Sequence, residues 1–520
     1  MPPLSFNIAG PCVPGRHYML PPGDRVARAM ELVEQEKFFS LVAGHQCGKT
    51  TCLRWMAAHY NAGDRLRALW IDLQVARDTP DPAVALPRIL RMCEESLRLQ
   101  IRDVVGPSPE EIDVMLRIPG NALLDYLRAL AAASPLPLVV FLDEADGLVG
   151  ATMVSFLSQL RAGYLSRTEA PFPQSVALVG RRAVRDCTLS VDERRQIEWL
   201  GSSSPFNVNA EVTSVALFTR PEVETLLAQH TAATGQRFEP DAVTHVFALT
   251  EGQPWLVNAL ADYATDRLVR DRALPVTRDH VEAAKEALIL ERRTHIDALV
   301  ARLREPRVRR VIDPMLAGEL LPFSDIDDDL LYVAGLGLIR KVAGEWIVAN
   351  AMYREVVPRA LTAAAQSSLY QRTEWYVRPD GLLDVPKLMA AWQEFWREDG
   401  HVAAEGFGYK ESGPHLMLMA FLQRIVNGGG RVDREYALGK GALDLLITWR
   451  TQRIAVELKL WRRPNTEAKG LAQLAGYLDT LGLDEGWLVI FETRTAVDWE
   501  ARSFARTEAV GGRMIHVLGC

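Results

Sequence analysis

Between residues 38 and 210, short runs of aliphatic, aromatic and β-branched residues alternate with stretches whose apolar positions recur every three to four residues. That alternation is the pattern of a parallel sheet whose crossovers are helices. The runs predict strands over 38–43, 68–73, 136–142, 174–180 and 205–209. From Arg220 to about Leu288 the period is helical, with Leu226, Leu227, Val243, Val246, Phe247, Leu256 and Leu260 forming apolar stripes, which predicts a small helical domain.

Residues 295–360 read helix, short helix, helix and then a hairpin, in which Gly337-Leu338-Ile339-Arg340 passes through Gly344-Glu345 to Trp346-Ile347-Val348. This order suggests a winged helix. Residues 361–410 read as a helical connector, where the spacing of Trp392, Phe395 and Trp396 favours burial. From about 411 the pattern is helix, three strands, helix, strand, then more helix and strand. The expected α/β multidomain organisation is therefore 1–215, 216–294, 295–360, 361–410 and 411–520, with no internal repeat.

With 520 residues, the chain is long enough for three or four independent cores. A net charge of −7 and a pI near 5.9 argue against a surface that coats nucleic acid non-specifically, so any such site must be a local patch. The six cysteines (Cys12, Cys47, Cys52, Cys93, Cys187 and Cys520) are scattered without a CxxC pair, which points to a reducing, cytoplasmic setting. No apolar run approaches the ~18 residues of a membrane span. No membrane partner and no secretory leader are expected.

Gly48-Lys49-Thr50 follows the apolar run Phe38 to Val42 and opens a helix with Leu53, Met56 and Ala57 on one face. Bare backbone amides, an ammonium and a hydroxyl in that order suit phosphates and Mg²⁺. The first glycine of the G-x-x-x-x-G-K-[ST] pattern would fall on Ala43, with Gly44 one residue late. Gly44, Gly48, Lys49, Thr50 and Thr51 are the residues expected to hold the nucleotide, and Thr50 its metal. The run Leu138 to Leu142 ends in Asp143 and Glu144. Carboxylates at the C-terminal end of a buried parallel strand face the ligand crevice, so Asp143 would hold Mg²⁺ through water and Glu144 would polarise the attacking water. Val176 to Val179 ends in Gly180-Arg181-Arg182, where an arginine, Arg182, could reach the γ-phosphate. His45 and Cys47 are read as tolerated loop residues. Asp325-Ile326-Asp327-Asp328-Asp329 lacks the glycine and final glutamate of a calcium loop and is read as a helix N-terminus.

Near the end of the chain, Asp444 interrupts the apolar strand Leu443 to Ile447, a costly place for a charge unless it is paired or metal-bound. In Glu457-Leu458-Lys459 the two charged residues share a strand face, while Leu458 turns inward with its carbonyl free to coordinate. Gln473 and Tyr477, four apart on a helix, can meet the same pocket. Carboxylates on adjacent strands beside a cation suit metal-dependent phosphodiester hydrolysis. Arg450, Arg453, Arg462, Arg463 and Lys469 are near in sequence and are either a solvated face or phosphate-holding groups.

Lys49, Asp143, the Gly180-Arg181-Arg182 end and Gly252-Gln253-Pro254-Trp255, together with Ser204-Pro205-Phe206-Asn207, resemble the signal-transducing (STAND-type) branch of AAA-like P-loop ATPases over roughly residues 15–360. The resemblance implies ATP and Mg²⁺ as ligands, closure of the Gly-x-Pro turn over the nucleotide through Pro254, and relay of nucleotide state by the helical lid and winged helix. Asp444, Glu457-x-Lys459 and Gln473-x-x-x-Tyr477 resemble the PD-(D/E)xK (restriction-endonuclease-like) nuclease superfamily over about 411–520. That resemblance implies that Asp444 and Glu457 ligate a metal, with Mn²⁺ able to replace Mg²⁺. It makes Lys459 the catalytic lysine, Gln473 a supporting group and Glu435 a plausible extra ligand. Glu405 and Glu411 compete for the family's early glutamate, and Ala442 stands where close relatives carry arginine. The whole chain looks like a bacterial ATPase fused to a nuclease, with DNA the expected partner and self-association left open. The rival reading is a nucleotide-controlled switch that binds DNA or protein without cutting.

Overall fold

The structure, a computed structural model, describes residues 3–181, 211–291, 294–303, 305–316, 327–357, 376–397, 430–438, 441–461, 465–492 and 502–520, with a few more between 414 and 422. By internal contacts the chain divides into two compact units, Met1–Ile296 with Asp325–Met352, and Asp297–Ser324 with Tyr353–Cys520.

The first unit is built on a five-stranded sheet of β1 (Phe38–Val42), β2 (Arg67–Asp72), β3 (Leu138–Asp143), β4 (Ser175–Gly180) and β5 (Val212–Ser214), in the order β2-β3-β4-β1-β5. Every pairing is parallel. The reason lies in the strand sequences: β3 and β4 are buried along their whole length, as strands covered on both faces must be. Alternate residues feed two cores. Val140 and Leu142 join Leu86, Ile89, Leu123 and Phe156 on one face, while Val139 and Phe141 join Leu53 and Met56 on the other. The first four expected strands are found within two residues of their predicted ends. The run 205–209 lies outside the described residues, and the strand seen beyond it is Val212–Ser214.

The expected helical region contains helices Arg220–Thr234, Pro240–Thr250, Pro254–Tyr263 and Arg278–Leu290. The first is fixed at both ends by its sequence: Thr219 and Glu222 form a capping box, Pro221 sits in the first turn, and Gly235 closes the helix in the left-handed region. Helices Thr294–Arg302, Pro306–Leu316 and Asp328–Gly335 and the hairpin of β6 (Ile339–Val342) and β7 (Glu345–Val348) follow in the predicted order. Asp327 caps the third helix by accepting from the amides of Asp329 and Leu330, as the acidic run suggested; Asp325 and Ile326 are outside the described residues.

The second unit holds a mixed six-stranded sheet of β8 (Gly430–Leu438), β9 (Gly441–Trp449), β10 (Gln452–Leu460), β11 (Glu485–Phe491), β12 (Phe504–Val510) and β13 (Arg513–Gly519), in the order β12-β13-β11-β10-β9-β8. β8, β9 and β10 form an antiparallel meander, and β10 pairs parallel with β11 through the crossover helix Thr466–Leu481. Leu474 and Leu478 of that helix pack on Leu446, Ala455, Leu488 and Ile515. Helix Val385–Phe395 docks on the same sheet. Trp392 is fully buried against Phe491, and the Gln393 amide donates to the carbonyls of Phe504 and Gly519. At the chain end, beyond residues 493–501, which lie outside the described residues, β12 and β13 form a hairpin turned by Gly511-Gly512, both at positive φ. The polar alternation of Phe504 to Val510 is that of an edge strand, which carries too little apolar signal to stand out.

Candidate functional site

The sheet's C-terminal edge brings the first set of predicted residues together. Gly48, at φ +82°, starts helix Lys49–Asn61 with no side chain capping it, so the amides of the first turn face the loop. Lys49 is only 9 % exposed, and its Nζ lies 3.4 Å from Glu144 Oε1. The Thr50 hydroxyl donates to Asp143 Oδ2 at 2.9 Å. Asp143 is buried at the end of β3, and burial raises its pKa against the opposing pull of Lys49 and Thr50. Glu144 occupies the left-handed region at φ +57° and also receives the Arg77 guanidinium. Burial resists its ionisation, but Lys49, Arg77 and Arg181 prevail and hold its carboxyl below the usual range. An ionised carboxylate is the form a general base requires.

Two side chains that periodicity did not single out grip the loop. Arg25, buried, donates from Nη2 to the Cys47 carbonyl at 2.6 Å and from Nε to the Ala216 carbonyl at 2.7 Å, with its guanidinium 4.7 Å over Phe218. Gln253 Nε2 reaches the His45 and Gln46 carbonyls at 3.3 and 3.4 Å. In the Gly-x-Pro turn it is therefore Gln253 that contacts the loop, while Pro254 occupies the first turn of its helix and presets the backbone there. Gly252 is required: at φ +75°, a Cβ would fall 1.8 Å from the Phe218 carbonyl oxygen. Thr51 accepts the Cys12 amide at 3.0 Å, tying the N-terminal segment to the loop helix. Gly44 backs onto another glycine, since a Cβ there would lie 3.1 Å from Gly337 Cα. Cys47 is buried, its thiol pushed up to about 11 by desolvation, so it is a packing residue. Arg182 and Ser204 to Asn207 lie outside the described residues, whereas Arg181 is at the site beside Asp146.

The second set also assembles. Register places Asp444 of β9 opposite Glu457 of β10, since Leu445 pairs with Val456. Leu458 N donates to Asp444 Oδ2 at 2.8 Å, the Asp444 amide approaches Glu457 Oε2 at 3.5 Å, and Lys459 Nζ donates to Glu457 Oε1 at 2.6 Å. The Leu458 side chain is buried, as its inward position requires. A Cβ on Gly470 would meet Lys459 Cγ at 3.2 Å, so the crossover helix begins directly over the lysine. Gln473 is exposed, and its amide donates to the Tyr477 hydroxyl at 2.9 Å. Glu435 lies on β8 between Arg434, paired with Leu445, and Tyr436, paired with Leu443, a register position opposite Asp444. Glu405, Glu411, Arg462 and Arg463 are outside the described residues.

The basic residues separate. Arg450 forms the β9–β10 turn and packs on Gly381, six strand residues from Asp444 and so about 20 Å away. Arg453 is exposed four positions before Glu457, whereas Lys469 is exposed next to Gly470 at the site. Among the described residues no cluster of three or more His, Cys, Asp or Glu is present, so the described donor set is two carboxylates, Asp444 and Glu457, with the Leu458 carbonyl next to the second in sequence. A carboxylate pair with Glu457 buried and Asp444 half-buried suits a hard divalent ion, which would relieve their mutual repulsion.

Glu457 is wholly buried, and desolvation, then the charge of Asp444, push its carboxyl up to about 7 against the pull of Lys459. The folded state therefore binds a proton that the unfolded chain has already released above the ordinary glutamate range. The resulting stability is complete at low pH and is lost as pH rises from about 4.5 to about 7. Without divalent metal, hydrogen-exchange protection of β9 to β11 should fall by about 3 kcal/mol over that window. Glu457→Gln should flatten the profile. A parent profile that does not vary with pH in EDTA would contradict the burial of this charge.

No protein-family model matches the chain, and no curated protein does either. Among solved structures, the chain is similar to the Walker-type ATPase PABY2304 of Pyrococcus abyssi at 12 % identity, over 68 % of this chain and 99 % of that one, with a TM-score of 0.48. It is similar to the ORC2 protein of Aeropyrum pernix at 13 % identity, over 69 % and 96 % of the two chains, with a TM-score of 0.38. RuvB, the Holliday junction branch migration motor of Thermotoga maritima, matches at 13 % identity over 64 % and 93 %, with a TM-score of 0.33. No helix among the described residues is long and apolar enough to cross a membrane.

Proposed function

We propose that the first unit binds and hydrolyses ATP as a P-loop switch of the STAND-type AAA class, and that the C-terminal sheet is a PD-(D/E)xK nuclease acting on DNA under its control. One observation supports the first half above all others. Lys49 and Thr50 of the loop helix meet Glu144, just past β3, and Asp143, its last residue, although about ninety residues separate the two pairs in sequence. Lys49 and the first-turn amides would hold the phosphates, and Thr50 and Asp143 would hold Mg²⁺, which when bound neutralises phosphate charge. Glu144, kept ionised by Lys49 and Arg77, takes the proton from the attacking water. In the second half, Asp444 and Glu457 would hold the metal, which lowers the pKa of a bound water. Lys459 positions the nucleophile and spreads charge on the phosphate.

Glu144→Gln tests the first half. The amide keeps the shape but cannot accept the proton, so ATP binding should persist while turnover falls by about 10²–10⁴. Undiminished hydrolysis would remove Glu144 from the role. The non-cutting switch has its own support, because the 2.6 Å pairing of Lys459 with Glu457 satisfies both groups without metal. Metal-dependent cleavage of DNA and RNA, assayed with and without ATP, separates the two readings.

A further inference from the structure

We infer that Asp146 is a positioning residue that aims Arg181 at the outermost phosphate beside Glu144. The inference rests on the ATPase reading above. In Leu142-Asp143-Glu144-Ala145-Asp146-Gly147 the first two acids meet the loop lysine and threonine; the third leaves one oxygen open. Asp146 lies in the short turn Ala145–Gly147 after β3, with its side chain 2 % exposed. Its Oδ2 accepts the Arg181 amide at 3.1 Å and stands 3.9 Å from Arg181 Nε. Its Oδ1 is buried and has no hydrogen-bond partner. The glycine that ends β4 is shaped around this carboxylate, because a Cβ on Gly180 would fall 2.5 Å from Oδ1.

A buried acceptor left open is costly, and such exceptions call for a physical reason. A guanidinium offers one. Its five N–H groups form a fork, so it can give two to a carboxylate and still present others to a phosphate. With Arg181 at 3.9 Å and only 20 % exposed, one short side-chain movement supplies the donor that Oδ1 lacks. Asp146 and Glu144 are two residues apart on the same strand exit, and the Arg181 charge already acts on Glu144. The held arginine therefore stands next to the base. Asp146 touches no reacting atom in this arrangement and acts through Arg181.

The test is steady-state ATP turnover and ATP binding of the full chain for the parent, Asp146→Asn, Gly180→Ala, Arg181→Ala and the double variant Asp146→Asn with Arg181→Ala. Asp146→Asn should lower kcat by about 10- to 100-fold while leaving KM within about two-fold. Gly180→Ala should reproduce that loss by displacing the carboxylate from the other side. The double variant should be no slower than Arg181→Ala alone, which a mere structural tie between the strand ends would not produce. Parental kcat in Asp146→Asn, or losses that multiply in the double variant, would overturn the inference. If Asp146→Asn does not fold, Gly180→Ala with and without Arg181→Ala decides the same question. Absence of turnover in the parent would overturn the ATPase reading itself, and this inference with it.

Discussion

Lys49→Ala is expected to weaken ATP binding roughly 10- to 100-fold, the range that a charged hydrogen bond to a phosphate spans, and to leave only a small residual turnover. The effect is large because this ammonium is 9 % exposed, so water does not replace it. It is also the strongest cationic influence opposing the effect of burial on both Asp143 and Glu144. Its removal therefore acts twice: the phosphates lose their countercharge, and Glu144 becomes a weaker acid with only Arg77 and Arg181 to keep it ionised. A nucleotide titration measures the first effect, and the pH dependence of residual turnover, shifted toward higher pH, measures the second. Equal affinity in variant and parent would contradict the assignment of the loop.

Asp444→Ala and Lys459→Ala are each expected to lower metal-dependent cleavage by about 10²–10⁴ while ATP turnover stays within about two-fold of the parent. The two variants should fail for different reasons. Asp444→Ala removes a ligand and also the like charge that pushes the Glu457 carboxyl up, so the remaining glutamate ionises more readily. Lys459→Ala leaves Glu457 buried without its cation, and the carboxyl holds its proton to still higher pH. Metal binding by the first variant should therefore depend less on pH than that of the parent, and binding by the second more. Cleavage assays with Mg²⁺ and Mn²⁺ across pH read both. A parent that cuts neither DNA nor RNA with either metal, at any nucleotide condition, hands the case to the switch reading.

Much of the first site was legible because its signals are local. A buried apolar strand ending in Asp143-Glu144, and a strand, loop and helix around Lys49, are each contained in about ten residues, and the sheet then dictates where they meet. The strand spacing of Glu457 and Lys459, and the burial of Trp392, Phe395 and Trp396, were legible for the same reason. What sequence did not show are contacts made across the fold by residues with no periodic signature. Arg25 on the Cys47 carbonyl, Gln253 on the His45 and Gln46 carbonyls, and Arg77 on Glu144 depend on chain reversal, not on composition. Proximity in sequence also misled. Arg450 follows Asp444 closely, but an extended strand carries it away at about 3.3 Å per residue. The Gly511-Gly512 turn was a readable hairpin signal, masked by the polar edge strand before it.

The position of β1 has a consequence for how the protein is made. Phe38–Val42 leaves the ribosome before the other four strands of its sheet but is an interior one, and its two neighbours begin only at Ser175 and Val212. For more than 130 residues of synthesis the most apolar strand near the N-terminus has neither edge paired. Such contacts between distant segments form slowly, and unpaired apolar edges are where nascent chains associate wrongly. A fragment ending before Ser175 would carry Lys49, Asp143 and Glu144 and still lack the strand that sets the loop's base. On the ATPase reading it would carry these three residues but neither Arg181 nor the scaffold that assembles them, so nucleotide binding is expected only once β4 and β5 are complete.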